Sequence, residues 1–177
     1  MKYRNIRVAL FAGGLLFASM AQAGTVTGRI NSSLVLISSC QVNGSTASTN
    51  VNFGALNFGT QTALFTQAGA QVLAGGGGTM SILCSNGAIP VMRIQAGSND
   101  GQSSGGTRAL SNGAGSFVPY DIYTDSGLST VLPINGTITL PTSTGAAQTI
   151  NLYGKAVGKA GLTPGTYTDS ILVELSF

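Results

Sequence analysis

Gly24-Thr25-Val26-Thr27-Gly28-Arg29-Ile30-Asn31-Ser32-Ser33-Leu34 is the stretch whose reading decides the rest of this chain. Val26, Gly28, Ile30, Ser32 and Leu34 share one face at a two-residue period, and Thr25, Thr27, Arg29, Asn31 and Ser33 share the other. Small and apolar residues on one side with polar ones opposite are what a half-buried extended strand requires. The pattern predicts a strand, and the sequence on either side of it predicts where that strand packs.

Upstream, Lys2, Arg4 and Arg7 precede an apolar run from Val8 to about Met20, which ends in Ala21-Gln22-Ala23. A positive start, a short apolar stretch and a small-x-small end predict a secretory signal peptide over 1–23. The apolar run is short for a membrane span. Removing it leaves 154 residues, one domain's worth and enough to bury a core. Three of the eight basic residues leave with it, so five bases remain against five acids. A neutral mature chain argues against a nucleic-acid partner, which would select a basic face. Arg29, Arg93, Arg108, Lys155 and Lys159 are scattered and read as solvated surface charges. Low net charge also favours self-association.

Cys40 and Cys84 are the only cysteines, and an even number in an exported chain predicts a structural disulfide between them. The chain has no histidine, and its acids are Asp100, Asp121, Asp125, Asp169 and Glu174. None of these forms a recognisable acid–base pair, so no catalytic, cofactor-binding or metal site is expected and the chain reads as a non-enzyme. Asp100 and Asp125 lie in turn-like contexts. Neither 75–78, which leads into an apolar alternation, nor 154–160, which lacks a hydroxyl after the lysine, meets the requirements of a phosphate-binding loop. Tyr120 and Tyr123 flank Asp121 in an arrangement that suits a sugar site, but an ordinary strand accounts for the same residues.

Downstream, alternation predicts core strands at about 34–42, 79–85, 90–96, 117–124, 148–157 and 167–177. Asn43-Gly44-Ser45 and Pro164-Gly165 supply turns, and the four glycines of 75–78 supply a flexible break. Phe53 and Phe58 read as core plugs in a short irregular strand. The segment 62–73 fits either a short strand or a turn of helix, and 97–116 reads as a long surface excursion. Ile171, Val173, Leu175 and Phe177 form one buried face in the last strand.

With no sustained helical period, the fold class is all-β, an immunoglobulin-like sandwich. That sandwich needs seven strands, and six are found. The missing strand would leave a groove of apolar side chains and unpaired backbone, the kind of edge that recruits a strand from another chain. The strand of good pattern left unassigned is the one at 24–34. A donor and a groove on different surfaces make a contact that propagates rather than closes.

The front Thr25-Val26-Thr27-Gly28, the two cysteines, Phe53-Gly54-Ala55-Leu56-Asn57-Phe58-Gly59 and the tail Pro164-Gly165-Thr166-Tyr167-Thr168-Asp169 leading to Phe177 resemble the spore coat protein U domain. That domain occurs in the pilins of archaic, Csu-type chaperone–usher pili. The resemblance implies an incomplete immunoglobulin-like subunit with a donor extension at 24–33 and a pilin domain at 34–177. Its partners would be other copies of itself in a head-to-tail homopolymer, a periplasmic chaperone and an outer-membrane usher. Exported through the periplasm, it would end in a cell-surface fibre supporting attachment and biofilm formation. By position, the donor residues are Val26, Gly28, Ile30, Ser32 and Leu34, and the acceptor groove lies around Leu36, Ile171, Val173, Leu175 and Phe177. A secreted coat protein and a minor or tip adhesive subunit are the alternative readings.

Overall fold

The computed structural model describes residues 23–177, so the expected signal peptide at 1–23 falls almost wholly outside the described residues. The chain divides into two units, Met1–Val35 and Leu36–Phe177, two residues later than the boundary expected from sequence. In the first unit, residues 23–35 form no strand, and Val26 and Ile30 are 100% and 99% exposed.

The second unit is built of twelve strands with no helix among the described residues: β1 (Cys40–Val42), β2 (Ala55–Leu56), β3 (Gln67–Leu73), β4 (Met80–Cys84), β5 (Val91–Gly97), β6 (Arg108–Ser111), β7 (Phe117–Tyr123), β8 (Val131–Leu132), β9 (Gly136–Thr139), β10 (Gln148–Ile150), β11 (Tyr153–Val157) and β12 (Ile171–Ser176). They pair antiparallel in three groups, β1-β4-β10, β2-β3-β11-β7-β6 with β8 on β7, and β12-β5-β9. All three supply one core: Val42, Met80 and Ile82 from the first, Val118, Tyr120, Ile122 and Ala156 from the second, Met92 and Ile94 from the third. The fold is the expected all-β sandwich of immunoglobulin-like kind.

The alternation read in the sequence accounts for the strands that face this core. In β5, Met92 and Ile94 are buried while Arg93 is exposed. In β4 the inward residues are Met80, Ile82 and Cys84. Cys84 stands directly opposite Cys40 on β1, and the two are joined by a disulfide. Asn43 and Gly44 both take positive φ, at 51° and 81°, in the two-residue turn that follows β1. Such turns favour asparagine and glycine because both central residues must be left-handed.

Four expectations are corrected. The strand expected at 34–42 is confined to Cys40–Val42, and Leu34, Val35, Leu36 and Ile37 are each more than four-fifths exposed. Among the described residues no strand pairs with them, because β4 ends at Cys84. The strand expected at 148–157 is two strands in different groups: β10 pairs with β4, and β11, two residues on, pairs with β3 and β7. The excursion at 97–116 contains β6, hydrogen-bonded to β7 from Arg108↔Tyr120 to Ser111↔Phe117. Finally, Arg108 is not a surface charge, since none of it reaches solvent. Its Nη1 donates to the Gln95 carbonyl at 2.8 Å and lies 3.9 Å from Asp100 Oδ1. The segment left open at 62–73 resolves as β3, a strand paired on both sides.

Candidate functional site

β12 is an edge strand. Its partner is β5 alone, with Val173↔Ile94, Glu174↔Arg93 and Leu175↔Met92 in register, and its other side has no strand among the described residues. Along that free side runs a groove of about 1020 Å³. One wall is β12, where Ile171, Val173 and Leu175 are half-buried, with Phe177 just beyond it 54% exposed. The opposite wall is the irregular segment 47–55, and the floor is Met80, Ile94, Tyr120, Ile122 and Leu152. The expected single buried face of the last strand is therefore only half covered. A side chain in an edge strand is shielded by its own sheet on one side, and here the other side opens into the groove.

The groove continues past Leu56, Phe58 and Leu110 into a second cavity of about 790 Å³ between 55–63 and 162–167. Phe58 stacks edge-on against Tyr120 with centroids 5.9 Å apart, so Phe53 and Phe58 do pack against the core, although half-buried. Asn52 Oδ1 accepts from the Gly54 N–H at 2.8 Å, and the Asn52 carbonyl accepts from Asn43 Nδ2 at 2.8 Å. These bonds hold the wall in place where it has no strand partner.

The tail motif positions β12. The Tyr167 hydroxyl donates to the Thr163 carbonyl at 2.7 Å, four residues back across the Pro164-Gly165 turn, and lies 2.8 Å from Ser116 Oγ. This is the arrangement of a tyrosine corner, in which a phenol near the start of a strand ties down the corner before it. Asp169 then accepts from the Tyr120 hydroxyl at 2.7 Å, the Ser98 N–H at 2.9 Å and Asn99 Nδ2 at 3.1 Å. Burial, then the hydrogen bond to Asp169 and that carboxylate's charge, hold the Tyr120 phenol in its neutral form well above the ordinary range. Tyr167 and Asp169 of the Gly-x-Tyr-x-Asp tail, with the groups they bond, thus fix where the free edge begins.

Ile171, Val173, Leu175 and Phe177 lie along the groove, whereas Leu36 stands exposed and does not line it. Val26, Gly28, Ile30, Ser32 and Leu34 lie in the first unit, all exposed, with no contact within 4 Å of where a Cβ on Gly28 would stand. Sequence reasoning missed the 47–55 wall, which has no periodicity, and Asp169 as a groove residue. It also missed the floor as a floor, since alternation reports that Tyr120 and Ile122 point inward but not that the space above them is open.

The described residues hold no cluster of three or more histidine, cysteine or acidic side chains able to hold a metal ion. Tyr120 and Tyr123 are both buried, and Asp121 is engaged by the Thr107 N–H and hydroxyl at 2.8 and 2.7 Å. No sugar-stacking face exists there.

A family model described as the Spore Coat Protein U domain matches residues 26–174. No curated protein matches the chain. A similar solved structure is the CsuC–CsuE chaperone–tip adhesion subunit pre-assembly complex from the archaic chaperone–usher Csu pili of Acinetobacter baumannii, at 20% identity and a TM-score of 0.48. That likeness covers 80% of this chain and 40% of the other, so this chain spans well under half of its length.

Proposed function

This chain belongs to the Spore Coat Protein U domain family, and from that premise we propose that it is a structural subunit of a chaperone–usher pilus that polymerises by donor-strand complementation. The observation that carries the reading is a pair of unmatched surfaces. An alternating segment at 26–34 stands in solvent, and an apolar groove beside the free edge of β12 lacks a strand. Each is what the other requires. A strand laid against β12 would supply the edge with backbone partners and place Val26, Ile30 and Leu34 over the apolar floor. Burying each of those three side chains contributes about 1.5–3 kcal/mol, and cross-strand hydrogen bonding adds to it.

The segment and the groove are different surfaces, so the contact is heterologous and propagates as a head-to-tail homopolymer. Before assembly, the same apolar groove needs cover against aggregation. A periplasmic chaperone lending a strand, and an outer-membrane usher exchanging it for the next subunit's segment, supply that cover in this reading. The product is a surface fibre supporting attachment and biofilm formation. Of the two alternative roles, a coat subunit and a tip subunit, neither needs the exposed alternation at 26–34.

The test is an unboiled denaturing gel of material sheared from cells, comparing the full chain with one lacking residues 25–33. The full chain is expected to ladder until boiled, and the deletion is expected to be exported yet run as monomer. A monomeric full chain, or a deletion that ladders equally well, overturns the reading.

A further inference from the structure

The size pattern of the segment leaves its register ambiguous, and charge resolves it. Val26, Gly28, Ile30, Ser32 and Leu34 alternate large and small, so a slip of two residues puts a small side chain where a large one belongs. A slip of four restores large over large. A slip of one turns the whole apolar face outward and is excluded. Something other than knob size must therefore separate registers four residues apart.

β12 presents Leu172, Glu174 and Ser176 on its outward face, opposite to Ile171, Val173 and Leu175. A strand that turns Val26, Ile30 and Leu34 into the groove turns Thr27, Arg29, Asn31 and Ser33 to that same outward face. Arg29 is the only charged residue between 24 and 39, and Glu174 is the only charged residue of β12. Glu174 is exposed, and its Oε2 accepts from Gln95 Nε2 at 3.0 Å. Its cross-strand neighbour on β5 is Arg93, yet the ion pair found among the described residues is Arg108–Asp100 alone. Glu174 thus has a carboxylate that is in no close ion pair among the described residues and stands beside the free edge.

We propose that Arg29 of an incoming copy stands directly across from Glu174 of the accepting copy, and that this pair sets the register of assembly. The inference rests on the donor-strand reading above. In this register the outward row reads Arg29, Glu174, Arg93, with the acid between two cations. Gly28 and Ile30 face the groove alongside Val173 and Leu175 whichever way the strand runs. A slip of two or four residues leaves Arg29 without a countercharge on β12. Directly opposed unlike charges on neighbouring strands favour a pairing by about two- to fivefold, and like charges disfavour it similarly.

Two reporter chains leave Arg29 and Glu174 in place: Thr27→Cys with Ser176→Cys, for an antiparallel strand, and Thr27→Cys with Leu172→Cys, for a parallel one. Cys40 and Cys84 are already paired, so a new disulfide reports only the introduced thiols. One reporter is expected to cross-link between copies in the assembled polymer. Adding Arg29→Glu should lower its yield at least about threefold, and Glu174→Arg added to Arg29→Glu should restore it. A cross-link indifferent to Arg29→Glu overturns the pin and leaves the donor-strand reading standing. A polymer in which neither reporter cross-links overturns the register. Absence of any polymer from the unsubstituted chain, or a cross-link formed only within one monomer, overturns the donor-strand reading itself.

Discussion

The Tyr120 hydroxyl donates a 2.7 Å hydrogen bond to Asp169 Oδ2, joining the floor of the groove to the start of the strand that walls it. Tyr120 lies on β7 and Asp169 two residues before β12, so the bond crosses from one sheet to the other. Tyr120→Phe is expected to cost about 1.5–3 kcal/mol, the range for a hydrogen bond to a charged group, read from the urea midpoint of the purified protein. Asp169→Ala removes the acceptor for three donors and should cost more than Tyr120→Phe.

The same bond predicts a pH dependence. Burial and Asp169 raise the folded-state pKa of Tyr120 above its ordinary value of 10.0. The folded state then holds the proton more tightly than the unfolded one. Stability from this group is intact below pH 10.0 and is lost as pH rises from there toward the folded-state value. The urea midpoint should fall between about pH 9 and pH 11, and fall less in Tyr120→Phe. An equal fall in both proteins would remove Tyr120 as the cause.

Arg108 predicts an asymmetry between breaking and replacing a buried pair. Its guanidinium is fully buried, Nε and Nη2 lack partners, and Asp100 is the nearest carboxylate. Asp100→Ala should destabilise by about 3–5 kcal/mol because a buried charge loses its compensation. Arg108→Met with Asp100→Asn should lose less than Asp100→Ala alone, as measured by chemical denaturation.

Gly106 is a packing requirement. A Cβ there would stand 2.8 Å from both the backbone N and O of Tyr120, atoms of β7 that cannot move aside. Gly106→Ala is expected to cost about 1–3 kcal/mol. Gly78→Ala, where a Cβ meets nothing within 4 Å, should stay within about 0.5 kcal/mol of the parent.

The Cys40–Cys84 bond closes a loop of 44 residues and fastens edge strand β1 to β4. Replacing both cysteines with serine should cost about 2–4 kcal/mol, seen as an earlier thermal midpoint.

Local pattern carried much of this fold. The inward faces of β4, β5 and β7 are legible because a strand's side chains alternate whatever lies beyond them. The two-residue turn after β1 is legible because Asn43-Gly44 suits left-handed backbone. What failed was the reading of segments whose burial depends on a strand distant in sequence. Residues 34–37 are as apolar as a central strand, yet they stand exposed for want of an opposing strand. Arg108 sits in a Gly- and Ser-rich stretch that looks like a loop, and it is buried because β7 pairs with it and the Gln95 carbonyl receives its guanidinium.

The sequence by itself determined an all-β chain with one cross-link, an alternating segment at its front and a last strand with one apolar face. It could do so because these are properties of spacing and composition over a few residues. Only the tertiary structure decided that the last strand is an edge, that the irregular 47–55 segment forms a wall opposite it, and that 148–157 splits between two sheets. An open groove is space between elements far apart in the chain. No local period encodes what is missing from the far side of a strand.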